Sequence, residues 1–230
     1  MEEIICFFNF RSPYGYLGVR KALEKKIKLK FIPVCYLPKE LIKFLAEASK
    51  NDYKRSYLFE DCERLFEQIG IKNVSEIISK EANWPKIHAS WLCAEENGFG
   101  DSFMIEAFDA RWRDRLDLGK KEVIEKICIK IGFEKDLAIN AGQLLEDIRK
   151  KSPLIWNFSN FVSMDIAANA LLAIGASPAM AHAKEEANDF SQICKAINGA
   201  LTINIGTFDP YWQECAQEAA NQASQNEVPW

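Results

Sequence analysis

Residues 4–10 form an almost unbroken apolar run that stops at Arg11-Ser12-Pro13, which predicts a buried strand, and 29–34 predicts a second. Between them, 13–25 carries helical spacing, with Ser12 placed to cap the helix and Pro13 at its first position. Helices are predicted over 52–68, 85–98, 101–112 and 120–131, and a helix-like run covers 134–151. After it come a strand at 154–156, helices at 164–174 and 184–197, a strand at 201–205, a helix at 210–225 and the start of a strand at Val228. Strands that alternate with helices predict an α/β fold with parallel pairing. The longest stretch without charge, 166–183, is interrupted by Asn169, Gly175, Ser177, Pro178 and His182. A buried helix followed by a turn accounts for it better than a membrane span. Ile166, Ala167, Ala170, Leu171 and Ile174 share one face of that helix, and Gly175 suits a left-handed cap.

Composition changes this picture at one place. Residues 1–135 hold 24 Lys and Arg against 22 Asp and Glu, while 136–230 hold 5 against 11. Alanine moves from 8 in the first stretch to 17 in the second. No Gly-, Ser- or Pro-rich linker marks the change, so two styles of sequence abut, with domains expected at 1–135 and 136–230. A net charge of −4 without a dense basic cluster argues against nucleic-acid partners. Seven cysteines with no C-x-x-C spacing and two histidines argue against a zinc framework and against structural disulfides, which points to a reducing cytoplasm. The acidic start before residue 4 is the reverse of a secretory signal.

The candidate chemistry begins at Ser12. A helix N-terminus presents unpaired N–H groups and a partial positive charge, which stabilise a thiolate held beside it. The runs FFNFRSPYGYLG (7–18), KRSYLFEDCERL (54–65), HASWLCAEENG (88–98) and AFDARWRDRLDLGKKEVI (107–124), in that order, resemble the 2-hydroxychromene-2-carboxylate isomerase and kappa-class glutathione transferase family. The resemblance, over about 4–135, implies a thioredoxin-like domain with a helical insertion after the second strand. It puts Ser12 on the serine that activates glutathione sulfur, and Asn51, Tyr57 and Asp61 in the substrate cleft. Lys54, Tyr57, Asp61 and Arg64 also lie at helical spacing, as a solvated face would have them. The family's later glycine-valine-proline stretch and closing strands have no counterpart here. The resemblance therefore implies an incomplete thioredoxin-like domain and a half-built glutathione site.

The run KSPLIWNFSNFVSMDIAANALLAIGASPAMAHAKEEANDF (151–190), followed by GALTINIGT (199–207), resembles hydroxyethylthiazole kinase over about 136–230. The implied fold is the first part of a ribokinase-like parallel α/β domain. By that resemblance Met180 contacts the thiazole substrate and Asn160 lies on the turn beside it. From the residues alone, Met180 reads as core filler and Asn160 as a helix cap. Trp156 stands where the family commonly has histidine, and lone His182 reads as structural. In that family ATP and Mg sites and the catalytic cysteine lie further downstream, so the binding segment for nucleotide and metal is not expected here. Gly98-Phe99-Gly100 reads as a turn, and Glu95-Glu96 and Glu185-Glu186 as solvated faces.

The leading expectation is a composite of two truncated enzyme segments without a complete active site. One rival is a glutathione-dependent isomerase or transferase working through Ser12. Another is a binding or oligomerisation module, because the kinase family builds its pocket between subunits. Partners are expected to be small molecules, with no membrane and no nucleic acid. The two segments are expected to keep separate sheets, because each apolar face is shaped for its own partners.

Overall fold

The computed structural model describes residues 4–35, 43, 50–78, 83–204, 206 and 209–230. It divides into two compact units, Met1–Leu144 and Leu145–Trp230. Among the described residues the strands form two separate parallel sheets, as expected. Charge composition changes in the first turn of one long helix, α7 (Lys135–Lys151), and the chain divides further along that helix.

In the first unit, β1 (Ile5–Phe8) pairs in parallel with β2 (Lys30–Pro33), Ile5 beside Lys30 and Phe8 beside Pro33. Helix α1 (Pro13–Glu24) connects them. Helices α2 (Asp52–Glu67), α3 (Val74–Ile78), α4 (Trp84–Glu96), α5 (Gly100–Trp112) and α6 (Lys121–Ile131) follow. The sheet is narrow, so aromatic side chains from the helices complete the core. Phe8 meets Trp91 edge-on at 4.8 Å, Phe10 meets Phe108 at 4.8 Å, and Phe66 packs between Tyr16 and Trp112. Trp91 is fully buried and donates its Nε1–H to the Gly100 carbonyl at 3.1 Å, so the ring also ties α4 to the start of α5. The turn expected at Gly98 is present, with φ at +81°. The opposite face of β1 remains open, with Phe7 67% exposed.

In the second unit, β3 (Leu154–Phe158) lies between β4 (Ser177–Ala179) and β5 (Ala200–Ile203), all parallel. Helix α8 (Met164–Ile174) joins β3 to β4, and α9 (Ala187–Ala196), entered through a 3-10 turn at Lys184–Glu186, joins β4 to β5. The 3-10 turn takes the first residues of the helix expected at 184–197. Helix α10 (Pro210–Gln225) follows, its N-terminus capped by the Asp209 side chain, which accepts from Trp212 N–H. The core is small-residue packing around three large rings: Trp156, Phe158 and Trp212 sit among Ala181, Ala187, Ala216, Ala219 and Ala223. Trp156 is buried, stacks on Phe190 and donates to the Ala181 carbonyl at 3.0 Å.

Two expectations fail. The helix expected to be buried, α8, buries none of its residues; Ile166 is 71% and Leu172 58% exposed. Of its apolar face, Ala167 and Leu171 are half-buried, while Ile166, Ala170 and Ile174 stay exposed. Val228 does not begin a strand either. It tucks into the core, and only the Pro229 carbonyl reaches β5, accepting from Leu201 N–H at 2.9 Å. Ile205, the expected end of β5, lies outside the described residues.

Candidate functional site

The first candidate site forms where the carboxyl ends of β1 and β2 meet the N-terminus of α1. Asn9 builds the loop. Its Nδ2 donates to the Val34 carbonyl at 2.5 Å, its Oδ1 accepts from Arg11 N–H at 2.7 Å, and its carbonyl accepts from Ser12 N–H at 2.9 Å. Ser12 is the cap predicted from sequence, its Oγ accepting from Gly15 N–H at 3.0 Å. That leaves the hydroxyl proton available to donate outward. Gly15 is needed here, because a Cβ would lie 3.0 Å from the Ser12 Cβ and 3.4 Å from the Asn9 carbonyl. A cavity of about 420 Å³ opens at this point, lined among the described residues by Phe7, Asn9, Ser12, Cys35 and Trp84 with their neighbours. That volume falls within the roughly 300–1,000 Å³ of small-molecule sites. Trp84 Nε1, buried on this wall residue, has no hydrogen-bond partner among the described residues.

The other residues predicted for this site lie apart from the cavity lining. Asn51 caps α2, accepting from Lys54 N–H at 3.0 Å. Tyr57 is 68% exposed on the same helix. Asp61 is linked to the Ser12 turn through Tyr14, whose hydroxyl donates to Asp61 Oδ2 at 2.9 Å, while Arg64 holds the other oxygen at 2.6 Å. Hydrogen bonds from Arg64 and Tyr14 hold the Asp61 carboxyl below its usual range. Burial and the Asp61 carboxylate push the Tyr14 phenol above its own. Cys35, Trp84 and Asn9 were not singled out in the sequence. Only Asn9, a turn-forming residue at a strand end, carries a signal that could have found it.

The second candidate site lies at the carboxyl ends of β3, β4 and β5. In the order β4-β3-β5 the chain steps out from β3 to β4 and then back across β3 to β5. Under the general right-handed crossover rule such a reversal makes the β3 end a topological switch point, where open α/β sheets bind ligands. Asn160 follows β3 and Met180 follows β4, so the two predicted residues share this edge. Met180 is half-buried. Both ends of the Asn160 amide are engaged within the protein. Nδ2 donates to the Gly206 carbonyl at 2.6 Å, and Oδ1 accepts from Val162 N–H, Ser163 N–H and Ser163 Oγ. Ser163 extends the network to Ser159 at 2.8 Å and Asn204 at 3.0 Å. Asn160 thus ties the β3 loop to the β5 loop. His182 packs against the Trp212 and Phe161 rings at 4.7 and 5.8 Å. Among the described residues no cluster of three His, Cys, Asp or Glu could hold a metal ion, and no helix is long and apolar enough to cross a membrane.

Both sites therefore belong to α/β units that present the ends of parallel strands. The DSBA-like thioredoxin domain matches residues 3–151, and the chain belongs to that family. The hydroxyethylthiazole kinase family matches residues 145–230. Over this second stretch the chain is 51% identical over 87 residues to hydroxyethylthiazole kinase of Roseobacter denitrificans, covering 38% of this chain and 32% of that one. It is 53% identical over 85 residues to that of Caldivirga maquilingensis, covering 37% and 30%. The solved structure of the hydroxyethylthiazole kinase protein from Pyrococcus horikoshii shares 41% identity, with 38% of this chain and 33% of that one covered and a TM-score of 0.35. The chain spans about a third of the length of the curated kinases it matches.

Proposed function

We propose that the chain is a composite of two small-molecule sites from different enzyme families: a thiol site built on Ser12, and the alcohol-binding end of a hydroxyethylthiazole kinase. Neither completes a reaction within these 230 residues. The observation that carries this reading is the Ser12 hydroxyl at the mouth of the 420 Å³ cavity, with its proton left free by the Gly15 hydrogen bond. A glutathione-type sulfur held there as thiolate accepts from Ser12 and lies in the positive end of α1. The Trp84 side chain adds an aromatic wall. These residues fit the sulfur end of such a ligand, in the manner of a glutathione-dependent isomerase or transferase. Calorimetry should give a dissociation constant of about 1 mM for glutathione. Ser12→Ala should raise the pKa of the bound thiol by about one to two units, since a hydrogen bond to a charged group contributes about 1.5–3 kcal/mol. No heat of binding at tenfold higher ligand would remove the thiol site from the proposal.

In the second unit Met180 would meet the thiazole alcohol, and Asn160 would shape the loop beside it. The matched stretch spans about a third of the kinases' length, and no step is assigned to ATP or Mg. The purified 230-residue polypeptide is expected to give no ATP-dependent phosphorylation of hydroxyethylthiazole; product above a heat-killed control would refute this. A cytoplasmic location goes with the reading, because a reducing compartment keeps the seven cysteines and a thiol ligand reduced. Self-association is the competing reading for the second unit, favoured by one observation, the exposure of Ile166 and Ile174 on the apolar face of α8.

A further inference from the structure

His88 is 1% exposed on α4, one turn beyond Trp84, and it touches two walls of the Ser12 cavity at once. Its Nε2 accepts from the backbone N–H of Phe10 at 3.2 Å, and its Nδ1 lies 2.5 Å from the Trp84 carbonyl. A backbone N–H needs an unprotonated ring nitrogen, and a carbonyl needs a donor. The ring is therefore neutral, with its proton on Nδ1. Phe10 sits between Asn9 and Arg11, both lining the cavity, in the loop that delivers Ser12. Trp84 is the facing wall. The imidazole is otherwise surrounded by rings, Phe8 at 5.7 Å and Phe10 at 4.9 Å. Arg111 stacks 4.9 Å from the Trp84 ring.

We propose that neutral His88 is a positioning residue of the Ser12 site: it fastens the β1–α1 loop to the Trp84 wall, so that thiol capture by Ser12 depends on its two hydrogen bonds. This rests on the thiol-site reading above. A buried histidine that only filled space would be replaceable by leucine. One that fastens two backbones needs a donor and an acceptor on the same side chain, which glutamine can supply and leucine cannot.

The test uses the full chain with His88→Gln and His88→Leu, and reduced glutathione as the probe. In wild type at pH 7, imidazole ¹⁵N shifts should report a neutral ring with Nδ1 protonated. His88→Leu should move the Phe10 amide resonance and also that of Gly15, whose N–H donates to Ser12 Oγ. It should weaken glutathione about tenfold, while His88→Gln should stay within about twofold of wild type, tenfold being about 1.4 kcal/mol. If His88→Leu does not fold, the wild-type ring shifts and the glutamine variant still decide, because a charged ring or a tenfold loss in His88→Gln overturns the proposal. Glutathione binding that is equal in wild type and His88→Leu, with the Gly15 amide unmoved, overturns the role of His88 alone. Absence of binding by wild type overturns the thiol reading and this role with it, whatever the amides do.

Discussion

The first unit packs a two-stranded sheet with interlocking aromatic rings from helices, whereas the second packs a three-stranded sheet with alanine-rich helices around three rings. Ring-to-ring contact makes each large side chain of the first unit touch several others, as Phe8 does with Phe10, Phe31, Trp91 and Phe108. Small-residue packing instead lets helix backbones approach closely, so that no single side chain dominates. The two units hold together by different means, and substitutions should expose the difference.

The largest expected effect is at Trp91, fully buried, edge-on to Phe8 and hydrogen-bonded to Gly100. Trp91→Ala should cost about 3–5 kcal/mol through the cavity and the lost tie between α4 and α5. In a urea titration followed residue by residue by NMR, the first unit should melt early while the second keeps its midpoint. A shared shift of both midpoints would show that the two cores unfold as one.

Acid should separate the units next. Burial pushes the His88 imidazole down to about 4 from 6.5, with the Trp84 hydrogen bond opposing only in part. Between these values the unfolded chain binds a proton that the folded unit refuses, so stability falls as pH drops from about 6.5 toward 4. The gap corresponds to at most about 3 kcal/mol. His88→Gln should flatten this part of the profile in the first unit. An unchanged acid limb in that variant would assign the loss to carboxylates instead.

The elements of both units were legible because their signals are local: Ser12-Pro13 marks the start of α1, Gly175 with φ at +96° ends α8, and Asp209-Pro210 starts α10. Burial was less legible, because it depends on what else the chain supplies. The same spacing that put Ile166, Leu171 and Ile174 on one face predicted a buried helix, yet periodicity cannot say whether a partner exists. Of the Ser12 site, the cap was readable and its surroundings were not. Cys35 follows β2 while Trp84 and His88 share α4, and only tertiary packing brings them to the loop. Asn160 carried two readings in the sequence, ligand contact and cap, whereas Asn51 carried only the cleft assignment that the resemblance implies. In both, the amide oxygen accepts backbone N–H groups of the following turn.

The smallest expected effect is on α8, and it bears on what that bare face is for. Ile166 is 71% exposed and the helix buries none of its residues, so in an isolated chain truncation removes little packing. Ile166→Ala should therefore change stability by less than about 0.5 kcal/mol, in contrast to Trp91. Self-association through α8 would reverse this, because a face covered by a second copy loses buried area when trimmed. An Ile166→Ala cost of about 2 kcal/mol or more would then be expected, with a midpoint that rises with protein concentration. Light scattering across a hundredfold dilution series decides between the two. A constant monomer mass with a small cost leaves α8 an open face of a binding unit, whereas a concentration-dependent mass lost in Ile166→Ala makes it an interface.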